Sequence, residues 1–174
     1  KSEDADKWKN AADEEYNSLK ENNTWNLVKP PPNAKIINSR WVFKVKHDSE
    51  GNVDRHKARL VAKGYSQVHG VDYNETFSPV VRFTTVRALL AFGVQQKRVI
   101  HQMDVTTAFL NGKLEEDVYM HQPEGYKEPG KEDLVCKLNK SLYGLKQAPR
   151  CWNTEFHEFL SNMGFRQSNA DPCV

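Results

Sequence analysis

Residues 39–67 read "SRWVFKVKHDSEGNVDRHKARLVAKGYSQ", and their alternation decides the fold class. In "SRWVFKVK" (39–46), Trp41, Phe43 and Val45 fall on one face of an extended chain. Arg40, Val42, Lys44 and Lys46 fall on the other, because strand side chains alternate with period two. "HDSEGN" (47–52) is turn-rich, and "VDRHKARLVAKGYSQ" (53–67) returns as a second strand. The spacing predicts a β-hairpin with cations along both arms. On the returning arm Lys57, Arg59, Val61 and Lys63 share one face, a row of cations able to grip a triphosphate or a template strand.

The flanks predict further elements. "DKWKNAADEEYNSLKEN" (6–22) places Trp8, Ala12, Tyr16 and Leu19 at helical spacing, with Asp4 or Asp6 as N-cap. "NTWNLV" (23–28) is a short strand stopped by "KPPPN", since proline cannot donate to a ladder. "TTVRALLAFGVQQ" (84–96) fits a helix capped at Thr84 or Thr85, with Val86, Leu89, Leu90 and Val94 inward. "RVIHQMDV" (98–105) has the look of a buried strand ending near Asp104, and "TTAFLNG" (106–112) of a tight turn or short helix closed by Gly112. "DVYMHQPEGY" (117–126) and "LVCKLNK" (134–140) suggest two more strands. In "APRCWNTEFHEFLSNMGF" (148–165), Trp152, Phe156, Phe159, Leu160 and Met163 make one helical stripe, expected to be core. Strands interrupted by helices, with hairpin turns between, argue an α+β class.

The totals bound the rest. The chain has 174 residues, 38% hydrophobic and 28% charged, with a net charge of +2. That length suits one domain. No apolar run approaches the ~18 residues of a membrane span, and the charged start "KSEDADKWKN" lacks the apolar region of a signal peptide. Cys136, Cys151 and Cys173 are widely spaced, with no C-x-x-C pair, and read as reduced thiols. Charge is uneven. Residues 35–63 hold eight Lys or Arg against three acids, a net of +5, whereas residues 1–29 hold five Lys against seven acids, a net of −2. A basic segment of this kind suits a polyanion, although a solvated strand surface has the same composition.

Two further stretches carry chemistry. Asp104 follows an apolar run and precedes a turn, the placement of a carboxylate that holds Mg²⁺, although a lone Asp there also serves as a cap. Phe109, five residues on, is either core or a steric wall beside such a site. "SLYGLKQAPR" (141–150) is a strand-to-helix junction. Tyr143 is placed to stack on a base, Gly144, Lys146 and Gln147 lie in a region rich in backbone donors, and Pro149 suits a first helical turn.

These stretches together resemble the reverse transcriptase of copia-type LTR retrotransposons. The resemblance runs through "NTWNLV", "RWVFKVK", "KARLVAKGYSQ", "YNETFSPVVRFTTVR", "HQMDVTTAFLNGKLEEDVYMHQPEGY", "LVCKLNKSLYGLKQAPRCW" and "DPCV", in the family's order and over nearly the whole chain. It implies a right-hand polymerase fold. Residues 1–98 would be the N-terminal and fingers region, with the fingers hairpin at 35–66, and residues 99–174 the first part of the palm. By this resemblance Asp104 is the first catalytic aspartate and the Val105 carbonyl helps hold the second of two Mg²⁺ ions. Lys57, Arg59, Lys63, Thr107, Ala108 and Phe109 contact the incoming dNTP, with Arg59 foremost among the cations and Phe109 the gate against the ribose 2′-OH. Tyr143, Gly144, Lys146 and Pro149 pack under the incoming base pair and contact the template.

The family's remaining two aspartates lie in a Tyr-x-Asp-Asp hairpin, and this sequence contains no such stretch. The expectation is therefore a piece of an RNA-directed DNA polymerase that ends before that hairpin and is inactive by itself. Asp171 would match a position ahead of the hairpin and would not substitute. RNA template, DNA primer and dNTPs would be the partners of the intact protein. Integrase would lie upstream and RNase H downstream in the Pol polyprotein, located in cytoplasmic particles with a nuclear phase. Two alternatives remain: a non-catalytic nucleic-acid-binding remnant built on the hairpin, and a structural remnant with no ligand.

Overall fold

The computed structural model describes residues 4–174. Its elements, in order, are α1 (Ala5–Glu21), β1 (Trp25–Val28), β2 (Ile36–Ile37), β3 (Ser39–His47), β4 (Val53–Ala62), α2 (Phe83–Gln95), β5 (Tyr119–His121), β6 (Val135–Leu138) and α3 (Ala148–Asn162), with 3-10 turns at Gly64–Ser66 and Ala108–Asn111. The mixed α and β content matches the expected class.

The alternating stretch forms the hairpin β3–β4, paired from Ser39↔Ala62 to His47↔Val53 with an irregularity at Lys46/His47. Asp48 closes the turn by accepting the backbone N–H groups of Glu50 and Asn52, each at 2.9 Å. The second sheet runs β1-β6-β5-β2. Its strands come from both halves of the chain: β1 pairs antiparallel with β6 from Trp25↔Leu138 to Val28↔Val135, and β2 pairs parallel with β5.

A core of Leu19, Ile37, Leu60, Leu110, Val118, Met120, Cys136 and Leu142, with smaller neighbours, joins α1, both sheets and the 108–111 turn. Each fully buried Leu or Ile contributes roughly 1.5–3 kcal/mol relative to exposure. A second cluster, Ala11, Ala12 and Ala58, sets α1 against β4. Asp4 holds the N-cap position of α1 but makes no capping bond there; its carboxylate pairs with Lys7 at 2.8 Å.

Four expectations are corrected. Residues 98–105 form no strand, and Val99, Ile100, Met103 and Val105 are exposed. A strand needs a ladder partner, and none of the described strands runs beside this segment. Helix α2 forms, but no residue on it is buried; Leu89, Leu90, Phe92 and Val94 face outward. Its N-cap is Arg82 rather than Thr84 or Thr85, and the Arg82 N–H donates to the Asp171 carboxylate at 3.2 Å. The α3 stripe is not core: Trp152 and Leu160 are half-buried, while Phe156, Phe159 and Met163 are exposed. Amphipathicity fixes which face of a helix wants cover, not whether a neighbour supplies it.

Candidate functional site

Strand β4 divides its side chains as period two requires. Ala58, Leu60 and Ala62 are buried, and Lys57, Arg59 and Val61 occupy the opposite face. Across the hairpin Lys44 lies opposite Lys57, Lys46 opposite Arg55, and Val42 opposite Arg59. Like charges directly opposite one another destabilise a sheet. The Lys57 ammonium is held below the ordinary lysine range by partial burial first and then by Arg59 and Arg55 on its own strand.

The row meets a second segment. The Arg59 guanidinium carbon lies 4.8 Å from the Tyr143 ring centroid. The Phe109 ring meets the same Tyr143 edge-on, with centroids 4.8 Å apart and planes at 68°. Contacts of these two kinds contribute about 0.5–2 kcal/mol each. The backbone supports the stack. The Ala62 N–H donates to the Tyr143 carbonyl at 2.7 Å, the Ser141 N–H to the Gly112 carbonyl at 2.7 Å, and the Ser141 hydroxyl to the Phe109 carbonyl. Gly144 adopts φ +90°, and a Cβ there would fall 2.2 Å from the Ala62 carbonyl oxygen. A Cβ on Gly64 would fall 2.0 Å from the Gly144 carbonyl oxygen. The "YG" turn therefore touches the end of β4 backbone to backbone, a distance only glycine permits.

Beside the stack lies a polar network that periodicity does not reveal. Gln147, fully buried, donates to the Asp72 carbonyl at 2.9 Å and accepts from Gln67 at 3.0 Å. Gln67 in turn accepts the Lys146 N–H at 2.8 Å. The Lys146 ammonium extends to Tyr73, 5.0 Å from its ring centroid and 3.3 Å from its hydroxyl. Buried Asp72 pairs with Lys35 at 3.2 Å. Gln67, Asp72 and Tyr73 escape a pattern search because their burial depends on segments far apart in sequence. Pro149 stands in the first turn of α3, and its carbonyl accepts the Ser78 hydroxyl at 3.3 Å.

The candidates thus fall into groups. Arg59, Tyr143 and Phe109 come together, with Lys57 on the face of Arg59 and Gly144 directly beneath. Lys63 stands at the end of β4, its N–H donating to the Asn38 carbonyl at 2.7 Å. Lys146 turns toward Tyr73 instead of the stack. Thr107 takes a left-handed conformation (φ 54°), and Ala108 opens the 3-10 turn that carries Phe109. Asp104 and Val105 lie on the exposed segment before that turn. Asp104 is therefore exposed to solvent and does not end a buried strand as the sequence predicts. Among the described residues no group of three or more His, Cys, Asp or Glu converges on a point where a metal ion would bind. One exposed carboxylate does not meet the oxygen-rich coordination that Mg²⁺ demands, so these residues by themselves do not fit a two-metal site. No helix among the described residues is long and apolar enough to cross a membrane.

The cationic hairpin, the aromatic turn and the loop that carries Phe109 meet in one place, and the chain is similar to known proteins over most of its length. Residues 22–174 match the family model described as reverse transcriptase (RNA-dependent DNA polymerase), and the chain belongs to that family. It is 48% identical over 164 residues, 94% of its length, to the retrovirus-related Pol polyprotein from transposon TNT 1-94 of Nicotiana tabacum. It is 48% identical over 170 residues, 97% of its length, to the retrovirus-related Pol polyprotein from transposon RE1 of Arabidopsis thaliana. The chain spans 12% of each of those polyproteins. An uncharacterized mitochondrial protein of Arabidopsis thaliana is 52% identical over 83 residues, covering 48% of this chain and 49% of that protein. No solved structure matches the chain.

Proposed function

We propose that this chain supplies the fingers and the first part of the palm of a right-hand RNA-directed DNA polymerase within a retrotransposon Pol polyprotein. Residues 1–98 provide the N-terminal and fingers region, and residues 99–174 begin the palm, although strands of both segments share one sheet. The observation that carries this reading is the stack of Arg59, Tyr143 and Phe109. It joins the cationic strand, the "YG" turn and the loop after Asp104 into one surface, where a triphosphate and a base pair would lie side by side.

In this reading Lys57, Arg59 and Lys63 meet the triphosphate, and the backbone N–H groups of Thr107 and Ala108 assist them. Phe109 stands where a ribose 2′-OH would be excluded. Tyr143 and Gly144 pack under the base pair, with Lys146 and Pro149 behind them. Asp104 and the Val105 carbonyl are this chain's contribution to holding Mg²⁺. The other carboxylates come from outside residues 1–174. RNA template, DNA primer and dNTPs are the partners, with integrase and RNase H elsewhere in the polyprotein, and the setting is a cytoplasmic particle with a nuclear phase.

Primer extension tests the reading in two arms. Residues 1–174 alone incorporate no dNTP on a primed RNA template. A longer polyprotein piece that does incorporate dNTPs loses activity on Asp104→Asn. Incorporation by 1–174, or an active Asp104→Asn protein, refutes the assignment. A second reading, a non-catalytic binder of nucleic acid, is favoured by the paired cations Lys44/Lys57 and Lys46/Arg55. It expects RNA binding that weakens steeply with salt and has a shallower slope when Lys57, Arg59 and Lys63 are neutralised.

A further inference from the structure

Strand β4 has one edge paired with β3 and another that no strand among the described residues covers. An open edge leaves backbone donors without partners and lets a strand shift or recruit another chain. Two donors on this edge are nevertheless occupied. The Ala62 N–H goes to the Tyr143 carbonyl at 2.7 Å. The Leu60 N–H goes to Oε1 of Glu15 at 3.3 Å. Glu15 reaches this position because Ala11 and Ala12, four and three residues earlier on α1, pack against Ala58 and bring the helix close. Its carboxylate is partly buried, which raises its pKa above the ordinary value, and Lys57 and Arg59 lie near enough to act in the opposite sense. Flanking the Leu60 donor are Arg59, whose guanidinium meets Tyr143, and Val61, whose side chain limits the space at Gly144.

We propose that Glu15 is a positioning residue: by accepting the Leu60 edge N–H, it lets α1 set the geometry of the Lys57–Arg59 row. The consequence for a polyanion rests on the reading under Proposed function; the consequence for the strand does not. Glu15 has two effects of opposite sign. Its hydrogen bond fixes the row, and its negative charge offsets the attraction of the row for an anion. The two are separable, because glutamine keeps the acceptor oxygen and removes the charge.

The test compares wild type, Glu15→Gln and Glu15→Ala by amide hydrogen exchange and by binding to a poly(rA)·oligo(dT) hybrid over a range of NaCl concentrations. Loss of a charge-assisted bond accelerates exchange at the freed amide by about tenfold or more. Glu15→Ala therefore speeds exchange at Leu60, weakens the ring-current shift of Tyr143 on the Arg59 side chain, and binds the hybrid less tightly than Glu15→Gln. Glu15→Gln keeps Leu60 protected and binds the hybrid more tightly than wild type at low salt. Equal Leu60 exchange in wild type and Glu15→Ala overturns the proposal, as does a Glu15→Gln protein that exchanges and binds like Glu15→Ala. If Glu15→Ala does not fold, the Gln variant decides by the same two readouts. If wild type does not bind the hybrid, the functional reading falls, and the positioning role is decided by Leu60 exchange and the Arg59 shift alone.

Discussion

Gly144→Ala tests the join between the cationic strand and the aromatic turn. Two costs are visible. The backbone stands at φ +90°, where an L side chain is strained by about 1–2 kcal/mol. The new Cβ would lie 2.2 Å from the Ala62 carbonyl oxygen and 2.7 Å from Val61 Cγ1, one a backbone atom and the other held on β4, so the turn must withdraw. Overpacking of this kind costs typically about 1–3 kcal/mol, and withdrawal also stretches the 2.7 Å bond from Ala62 N–H to the Tyr143 carbonyl. The sum is about 2–5 kcal/mol, or a fall in Tm of roughly 5–15 °C for a chain of this size. Gly125→Ala is the control: its φ is +82°, and nothing lies within 4 Å of the added carbon, so only the strain remains. Urea or thermal melts of both variants give the contact contribution by difference. Equal destabilisation would show that the close approach of the turn to β4 contributes nothing, and the joined site would lose its mechanical basis.

Other consequences can be measured on the same protein. The Thr24 hydroxyl is fully buried with no hydrogen-bond partner among the described residues, so Thr24→Val should stabilise by about 1 kcal/mol in a urea titration; destabilisation would mean that the hydroxyl is satisfied. Burial pushes the Cys136 thiol up to about 12 and Cys151 up to about 11, whereas Cys173 is exposed, so a maleimide at pH 7.5 should label Cys173 first and Cys136 only on unfolding. Hydrogen bonds from Lys20 and then Lys131 hold the Glu128 carboxylate below its ordinary range. A depressed carboxylate stabilises the fold above its unfolded pKa of about 4.3, and that contribution is lost as pH falls through the lower folded value. The Tm of Lys20→Met should therefore fall less steeply than that of wild type below pH 4, and parallel curves would discount the pair.

The sequence discloses elements whose burial is decided locally. The hairpin 39–62 was legible because its alternation, turn and return all lie within one short stretch, and α1 because its stripe meets the hairpin beside it. Residues 98–105 and the outer faces of α2 and α3 were not, because an apolar run states a demand for cover and only a neighbouring chain can meet it. The site divides the same way. Arg59, Phe109 and Tyr143 each stand out in sequence, one by charge pattern and the others by motif. Their stacking does not, because it depends on two glycines, Gly64 and Gly144, meeting backbone to backbone from distant segments. Gln147 reads in sequence only as part of a junction rich in backbone donors and is the buried centre of a polar network with Gln67 and Asp72, since nothing in a polar side chain's neighbours along the chain announces that it will be enclosed.

The pairing of Trp25 with Leu138 also sets a clock on folding. The hairpin can close as soon as Ala62 is made, but β1 must wait for β6 to be synthesised. At ribosomal speeds of about 5–20 residues per second that wait lasts roughly 5–20 s, far longer than the microseconds a hairpin needs to form. The cationic strand is thus assembled early, with α1 already beside it, while the sheet that closes the core comes much later. Pulse-labelled nascent chains should show protected amides in 39–62 well before those in 25–28.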